Sequence, residues 1–158
     1  MSGIFITFEG PDASGKTTQI RLLEEALRRE NLDPLVTREP GGTPIGEKIR
    51  KVLLDRDSAE MTSMTEMLLY AASRAQHVDQ VIRPALAEGR VVISDRFTDS
   101  SIAYQGCGRG LGDLVARVNA VASGGLRPDL TFLLVTTPEN MRNRVAATEE
   151  DRIEAEKD

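Results

Sequence analysis

Residues 4–17 read Ile-Phe-Ile-Thr-Phe-Glu-Gly-Pro-Asp-Ala-Ser-Gly-Lys-Thr, and the rest of the chain is interpreted from this stretch. The first five residues are mostly apolar or β-branched and predict a buried strand. Residues 10–17 match the pattern G-x-x-x-x-G-K-[ST], and helical periodicity follows through residues 20–27. A strand, a glycine-rich loop and a helix in this order predict a loop whose backbone N–H groups surround phosphates at a helix N-terminus.

The rest of the chain alternates short apolar strands with helical patterns. Further strands are predicted at 34–37, 91–94 and 129–135, and further helices up to about 54, at 61–88 and from 137. Strands that are apolar throughout and separated by helices predict a parallel sheet with helices on both faces, a three-layer α/β/α fold. The length of 158 residues predicts one domain over 1–158.

Composition excludes several classes of protein. The single cysteine, Cys107, excludes an internal disulfide framework and multi-cysteine metal sites. The single histidine, His77, disfavours a zinc hydrolase or a Ser-His-Asp enzyme, and we expect it on a helix surface. The net charge of −5 argues against nucleic acid as a partner, and no apolar run suits a membrane span. These observations predict a cytoplasmic globular protein.

The loop predicts the binding of a nucleotide. We expect its phosphates to contact residues 10–18, that is Gly10, Pro11, Asp12, Ala13, Ser14, Gly15, Lys16, Thr17 and Thr18. Lys16 can reach the β- and γ-phosphates, and the Thr17 hydroxyl can ligate Mg²⁺. Asp95, at the end of the third strand, can hold Mg²⁺ directly or through water. A negative φ is expected for Ala13 because a side chain disfavours positive values.

Two features favour a small-molecule kinase. The chain carries no Asn-Lys-x-Asp motif for reading guanine, and it is too short for a motor or a helicase. Arg38 and Arg96 follow neighbouring strands, where open α/β sheets bind their ligands, and could hold a second phosphate.

Four motifs in the right order resemble the thymidylate kinase family. They are residues 8–19, residues 37–43 with Arg-Glu-Pro-Gly-Gly-Thr, residues 95–97 with Asp-Arg-Phe, and residues 100–106. The resemblance implies a P-loop NTPase-type parallel sheet, ATP as donor, dTMP as acceptor and a homodimer. It also implies dimerisation through the third helix, whose methionines we expect in core or dimer packing because Met fills irregular apolar gaps.

The resemblance implies roles for residues on the acceptor side. Asp12 matches an acid near the sugar 3′-hydroxyl and the metal. Arg38 and Arg96 match arginines that hold the dTMP phosphate, and Arg96 also approaches the transferred group. Tyr70 matches an aromatic residue that stacks on thymine, and Arg74 an arginine that hydrogen-bonds a carbonyl of the base.

The same resemblance extends to the residues after the third strand. Ser101 and Gln105 match base-contacting positions, and Tyr104 matches a residue near the sugar. Glu39 lies in the matching acidic position beside this site.

The end of the chain resembles the start of a lid. Residues 148–158 include Asp-Arg-Ile-Glu, whose Arg152 would act catalytically at the ATP phosphates, and Arg144 matches the arginine that precedes the lid. The phosphate loop has no arginine, which in this family goes with a catalytic arginine from the lid. Relatives continue through further elements, so the C-terminal strand and helix of the family are expected to be absent.

Together these interpretations predict transfer of the γ-phosphoryl group of ATP to dTMP, giving dTDP for DNA precursor synthesis. The expected catalytic residues are Asp12, Lys16, Arg96 and Arg152. No general base is needed because the acceptor phosphate, with a second pKa of about 6, is mostly ionised at pH 7. Two alternatives stay open: another small-molecule P-loop kinase, and an inactive nucleotide-binding protein.

Overall fold

A four-stranded parallel sheet forms the centre of the computed structural model, which describes residues 3–137 and 152–153. The strands are β1 (Ile4–Glu9), β2 (Leu35–Arg38), β3 (Val91–Asp95) and β4 (Leu130–Leu133), in the order β2-β3-β1-β4. The four predicted strands and their parallel pairing are confirmed, with boundaries shifted by one or two residues. The predicted helix from 137 lies, apart from its first residue, outside the described residues.

Helices lie on both faces of the sheet. The α-helices are α1 (Lys16–Arg29), α2 (Pro44–Leu54), α3 (Ser63–His77), α4 (Arg83–Ala87), α5 (Thr98–Ser101) and α6 (Leu114–Ala122). On one face, Phe5 and Val92 pack against Val78 and Ile82. On the other face, the neighbouring strand residues Ile6 and Ile93 pack against Ile20 of α1. The alternation of side chains along each strand thus fills two cores, as the apolar strands predicted.

The long helix predicted at 61–88 is interrupted. Between α3 and α4 the chain forms a π-helical turn, Val78–Ile82, and a second π-helical segment, Ile102–Gly108, follows α5. Pro84 lies in the first turn of α4, where a missing N–H group is tolerated. Gly89, with a φ of 80°, follows the helix in the left-handed conformation typical of a C-terminal cap.

The sheet brings three strand ends to one edge. In the parallel register Phe8 pairs with Asp95, and Arg38 pairs with Asp95 on the other side. The residues that follow β1, β2 and β3 are therefore neighbours, although the sequence separates them by tens of residues. Within the described part of the chain, none of the helices has the length and apolar character that crossing a membrane requires.

Candidate active site

The loop 10–17 connects β1 to α1 at this edge of the sheet. Gly10 has a φ of 139°, and a Cβ there would lie 2.4 Å from the carbonyl oxygen of Leu134. Glycine is therefore required at this position by both conformation and space. Ala13 has a φ of 57°, so the expectation of a negative φ is wrong. The tight reversal before α1 imposes the left-handed conformation on a residue that has a side chain.

Lys16 is held inside the loop. Its side chain is 6% exposed, and its Nζ donates hydrogen bonds to the carbonyl oxygens of Gly10 and Pro11 at 3.0 and 2.8 Å. Burial lowers the pKa of Lys16, and the positive charge of Arg96 lowers it further. The carboxylates of Asp95, Asp12 and Glu9 act in the opposite direction but do not cancel the shift. An ammonium group fixed at the start of α1 is placed to pair with an anion surrounded by the N–H groups of the loop.

Asp95 and Thr17 offer oxygen ligands on the same side of the loop. The Oδ1 atom of Asp95 is buried and has no hydrogen-bond partner within residues 3–137 and 152–153. Burial raises the pKa of Asp95, while Lys16 and Arg96 oppose that rise. Carboxylate and hydroxyl oxygens are ligands that Mg²⁺ accepts, and an unsatisfied buried oxygen is a natural place for one. These residues therefore fit a magnesium ion.

Two clefts open side by side at the edge of the sheet. The first, here named the loop cleft, is lined by residues 12–19, Arg38, Glu39, Arg50, Asp95, Arg96 and Leu134. The second, here named the α3 cleft, is lined by Asp12, Glu39, Pro40, Arg50, Leu54, Tyr70, Arg74, Arg96, Phe97, Ser100, Ser101, Tyr104, Gln105 and Ile153. Because Asp12, Glu39, Arg50 and Arg96 line both, the two clefts share a wall.

An ion pair between Asp12 and Arg96 stands in this shared wall. The Arg96 Nη2 donates to Asp12 Oδ1 at 2.8 Å, and its Nη1 donates to the Ser100 hydroxyl at 3.0 Å. The guanidinium carbon also lies 5.4 Å from the centre of the Tyr104 ring. Arg96 has a φ of 70°, which is a strained backbone conformation for a residue with a Cβ. The contacts of its side chain therefore stabilise a conformation that the backbone alone disfavours.

Glu9 holds the segment that carries Arg96, and sequence reasoning missed it. Its two carboxylate oxygens accept hydrogen bonds from the Phe97 N–H group at 2.8 Å and from the Ser100 hydroxyl at 2.5 Å. Burial raises the pKa of Glu9, against the lowering effect of these two hydrogen bonds. A carboxylate that ends an otherwise apolar strand directly before the loop is the signal that could have indicated this role.

Arg38 and Arg50 bring two further positive charges to the clefts. Arg38 lines the loop cleft but not the α3 cleft, and its Nη2 donates to both carboxylate oxygens of Glu47 at 2.9 and 3.0 Å. Arg50, which sequence reasoning missed, lines both clefts and donates to the Pro40 carbonyl at 3.0 Å. Arg50 lies within α2, where no local motif distinguishes it from a surface arginine.

The residues predicted to read a base meet in the α3 cleft. Tyr70 and Arg74 lie one turn apart on α3, and both line the cleft. Arg74 is 2% exposed, and its guanidinium donates to Glu39 at 2.8 Å, to the Phe97 carbonyl at 2.9 Å and to the Ser101 hydroxyl at 3.1 Å. Its Nη1 also donates to Asn119 on α6. The guanidinium is thus fixed from several sides.

Tyr104 and Gln105 line the same cleft from the π-helical segment. Gln105 is 1% exposed, and its amide donates to Glu66 at 2.8 Å. Arg109 donates to the same carboxylate at 3.1 Å. Glu66, a buried residue of α3 that sequence reasoning missed, therefore anchors the segment that contains the predicted base-contacting residues.

Arg152 lies elsewhere than expected. It is 4% exposed, and it donates to the Leu53 carbonyl at 2.8 Å and to Glu66 at 2.6 Å, while it is not among the residues that line the loop cleft. Burial would raise the pKa of Glu66, but hydrogen bonds from Arg109, Gln105 and Arg152 hold it below its ordinary value. This ionised, buried carboxylate is the physical reason for the position of Arg152. Arg144 lies outside the described residues.

Comparisons with known proteins agree on one family. The family model described as thymidylate kinase matches residues 8–158. The chain is 55% identical to the thymidylate kinase of Lactobacillus delbrueckii subsp. bulgaricus, covering 99% of this chain and 76% of that protein. It is 56% identical to that of Desulforudis audaxviator, covering 99% and 72%. A crystal structure of thymidylate kinase from Ehrlichia chaffeensis superposes with a TM-score of 0.80 at 40% identity, covering 92% of this chain and 83% of that one.

Proposed function

The chain belongs to the thymidylate kinase family, and we propose that its two clefts are the donor and acceptor sites of that enzyme. The enzyme transfers the γ-phosphoryl group of ATP to dTMP, giving dTDP for DNA precursor synthesis. The comparisons give no support to a different acceptor or to an inactive nucleotide-binding protein. The assignment of the clefts rests on their shared wall. Phosphoryl transfer requires the donor and acceptor phosphates to meet in line, and ligands in two adjoining clefts can do so.

In the loop cleft, residues 10–18 bind the phosphates of ATP. Lys16 exchanges the carbonyls of its own loop for phosphate oxygens, and its charge compensates theirs. Thr17 and Asp95 are the proposed ligands of Mg²⁺, which neutralises phosphate charge when bound. Arg144, which is outside the described residues, stays a proposed ATP contact.

In the α3 cleft, Tyr70 stacks on thymine and Arg74 donates to a carbonyl of the base. Four of the five N–H donors of Arg74 have partners among the described residues, which leaves one on Nη1 to read the ligand. Ser101 and Gln105 complete the base site. An arginine that donates to a carbonyl rejects cytosine, since the cytosine amino group would face a buried donor.

The remaining acceptor contacts lie near the shared wall. Tyr104 packs near the sugar, Asp12 lies near its 3′-hydroxyl, and Arg38 and Arg96 hold the dTMP phosphate. Arg50 lines both clefts, and we add it to this cationic group.

Catalysis in this proposal is electrostatic. The acceptor phosphate oxygen is already ionised at pH 7, so the chain needs no general base. Two polyanions must approach each other, and Lys16 and Arg96 stabilise the charge that spreads over the transferred group. Arg96 occupies the place where such charge develops, because it belongs to both clefts. Arg152 stays a proposed catalytic residue, which would have to leave its contact with Glu66 to approach the ATP phosphates.

We also propose a homodimer. Ile45 and Val52 on α2, with Met64 and Leu68 on α3, are 43–51% exposed on two helices that pack against each other. Apolar side chains grouped on adjacent helices are typical of an interface. We propose one domain over residues 1–158, which the four-stranded sheet of residues 3–137 supports. A cytoplasmic location, where ATP is available, is also our proposal.

The test is ADP formation by the purified chain, with and without Mg²⁺, in parallel with dTMP, dUMP, dCMP, thymidine and no acceptor. We expect Mg²⁺-dependent turnover with dTMP. Weaker turnover is expected with dUMP, because the thymine methyl group contributes only about 1–3 kcal/mol. Turnover with dCMP that equals turnover with dTMP would contradict the role of Arg74, and turnover with thymidine alone would contradict the assigned acceptor.

A further inference from the structure

His77 is buried beneath the acceptor site. Its side chain is 0% exposed, so the expectation of a surface position is wrong. The Nδ1 atom lies 2.9 Å from Glu39 Oε1, and the Nε2 atom lies 2.7 Å from the Thr37 hydroxyl. His77 is not among the residues that line either cleft, so a bound nucleotide would not touch it.

Glu39 connects this imidazole to the base-reading arginine. One carboxylate oxygen of Glu39 faces His77, and the other accepts a hydrogen bond from Arg74 Nε at 2.8 Å. All three side chains are at least 95% buried. The carboxylate is therefore one of the groups that set the orientation of the guanidinium, and the imidazole fixes the carboxylate from its other side.

We propose that His77 is a positioning residue of the acceptor site, which orients Arg74 through Glu39 and so contributes to the binding of the base. The proposal rests on the proposed function, since it assigns the base to the α3 cleft. His77 touches no substrate, and its contribution passes entirely through Glu39.

The two contacts of the ring favour one tautomer of His77. The carboxylate of Glu39 can only accept hydrogen bonds, so the ring hydrogen lies on Nδ1, which donates to Glu39. Nε2 then accepts a hydrogen bond from the Thr37 hydroxyl.

The same ring supports the turn that follows β2. A Cβ on Gly42 would lie 2.6 Å from two atoms of the imidazole, so the backbone of this turn lies directly on the ring. The Gly41 N–H group donates to Ser73, which lies one turn before His77 on α3. The Arg-Glu-Pro-Gly-Gly segment thus packs against one face of α3, and its last glycine contacts His77.

Two substitutions of His77 separate the positioning role from simple packing. In the full chain, His77→Asn places an amide where Nδ1 stands and can still donate to Glu39, whereas His77→Gln places its amide where Nε2 stands and reaches Thr37. Both variants leave part of the ring space empty, so both should lower the thermal midpoint. Gln76→Asn, at the neighbouring position on α3, is the matched control.

The readout is KM for dTMP against KM for ATP. We expect His77→Gln to raise KM for dTMP about 10-fold and His77→Asn to stay within about threefold of the wild type, with KM for ATP unchanged. Equal increases in the two variants, or an equal increase for ATP, would overturn the proposal, because a packing defect does not distinguish the two ring nitrogens.

A measurement on the unaltered chain guards against variants that fail to fold. His77 is the single histidine of the sequence, so labelling histidine with ¹⁵N gives one pair of ring signals. We expect an Nδ1-protonated ring whose signals shift when dTMP is added and stay in place when ATP is added alone. Signals that do not respond to dTMP, in a chain that turns over dTMP, would overturn the proposal. Turnover of dTMP by the same sample tests the proposed function separately.

Discussion

Replacing Glu66 by glutamine should destabilise the chain strongly without touching either reacting group. The carboxylate is 2% exposed and accepts hydrogen bonds from Gln105, Arg109 and Arg152, the last of which is itself 4% exposed. The substitution keeps the volume but removes the charge that compensates a buried guanidinium. Breaking such a pair lowers the free energy of unfolding by about 3–5 kcal/mol. We expect a loss near the lower value because the amide oxygen of glutamine can still accept a hydrogen bond.

The assay is thermal and urea unfolding of the variant beside a matched control. For a chain of this length about 3 kcal/mol corresponds to a fall of about 6–12 °C in Tm. Glu25→Gln removes an exposed pair with Arg21, whose side chains are 60% and 46% exposed, and should cost less than about 1 kcal/mol. Equal shifts in the two variants would refute the reasoning, because burial would then make no difference.

The pH dependence gives the same prediction a second test. Folding lowers the pKa of Glu66, so its contribution is complete above the ordinary pKa of a glutamate and is lost as pH falls through the folded value. The stability difference between the wild type and Glu66→Gln should therefore shrink on acidification below that ordinary pKa. A difference that stays constant through this range would show that the carboxylate charge is not its source.

Three further substitutions test the clefts. Lys16→Ala should lose most turnover while circular dichroism shows an intact fold, and unchanged kinetics would remove Lys16 from the mechanism. Arg96→Gly should lose about 10³-fold or more in kcat. The loss of the contacts with Asp12, Ser100 and Tyr104 is partly offset by relief of about 1 kcal/mol of backbone strain, so Arg96→Gly should lower Tm less than Arg96→Ala does, and the opposite order would contradict the strain. Asp95→Asn should abolish Mg²⁺-dependent turnover yet raise the free energy of unfolding at pH 7, because a carboxyl whose pKa rises on folding costs stability above its ordinary pKa. A fall in stability on this change would contradict the buried, unsatisfied charge.

Local patterns predicted the sheet and the loop, and they failed where partners are distant in the sequence. The strand–loop–helix stretch is decided by residues near one another, so both its fold and the position of Lys16 were predicted. His77 was placed on the surface because its partners Thr37 and Glu39 lie 40 and 38 residues away. Helical periodicity cannot reveal a polar residue that is buried against another polar residue.

The same limit explains the residues that were missed or misplaced on either side of the clefts. Arg50 and Glu66 carry no motif, and Glu9 lies in a motif that indicates phosphate binding. The roles of all three depend on partners from other elements. Arg152 meets Glu66 across 86 residues of sequence, which no local pattern encodes. The base-contacting residues came from family resemblance, since spacing alone shows only that two of them share a helix face.

The π-helical turn after α3 has a consequence for how this chain tolerates insertions and deletions. Such a turn contains one residue more than the α-helical path, so it sets the phase of the two helical parts separately. Before it, Tyr70 and Arg74 line the α3 cleft; within and after it, Val78, Ile82 and Ala85 pack in the core with Phe5 and Val92 of the sheet. Deleting one residue from the turn would remove the extra residue and leave a continuous α-helix with both faces kept. Deleting one residue from either α-helical part would instead rotate the side chains beyond it by about 100°. A one-residue change of length is therefore tolerated more easily within this turn than on either side of it.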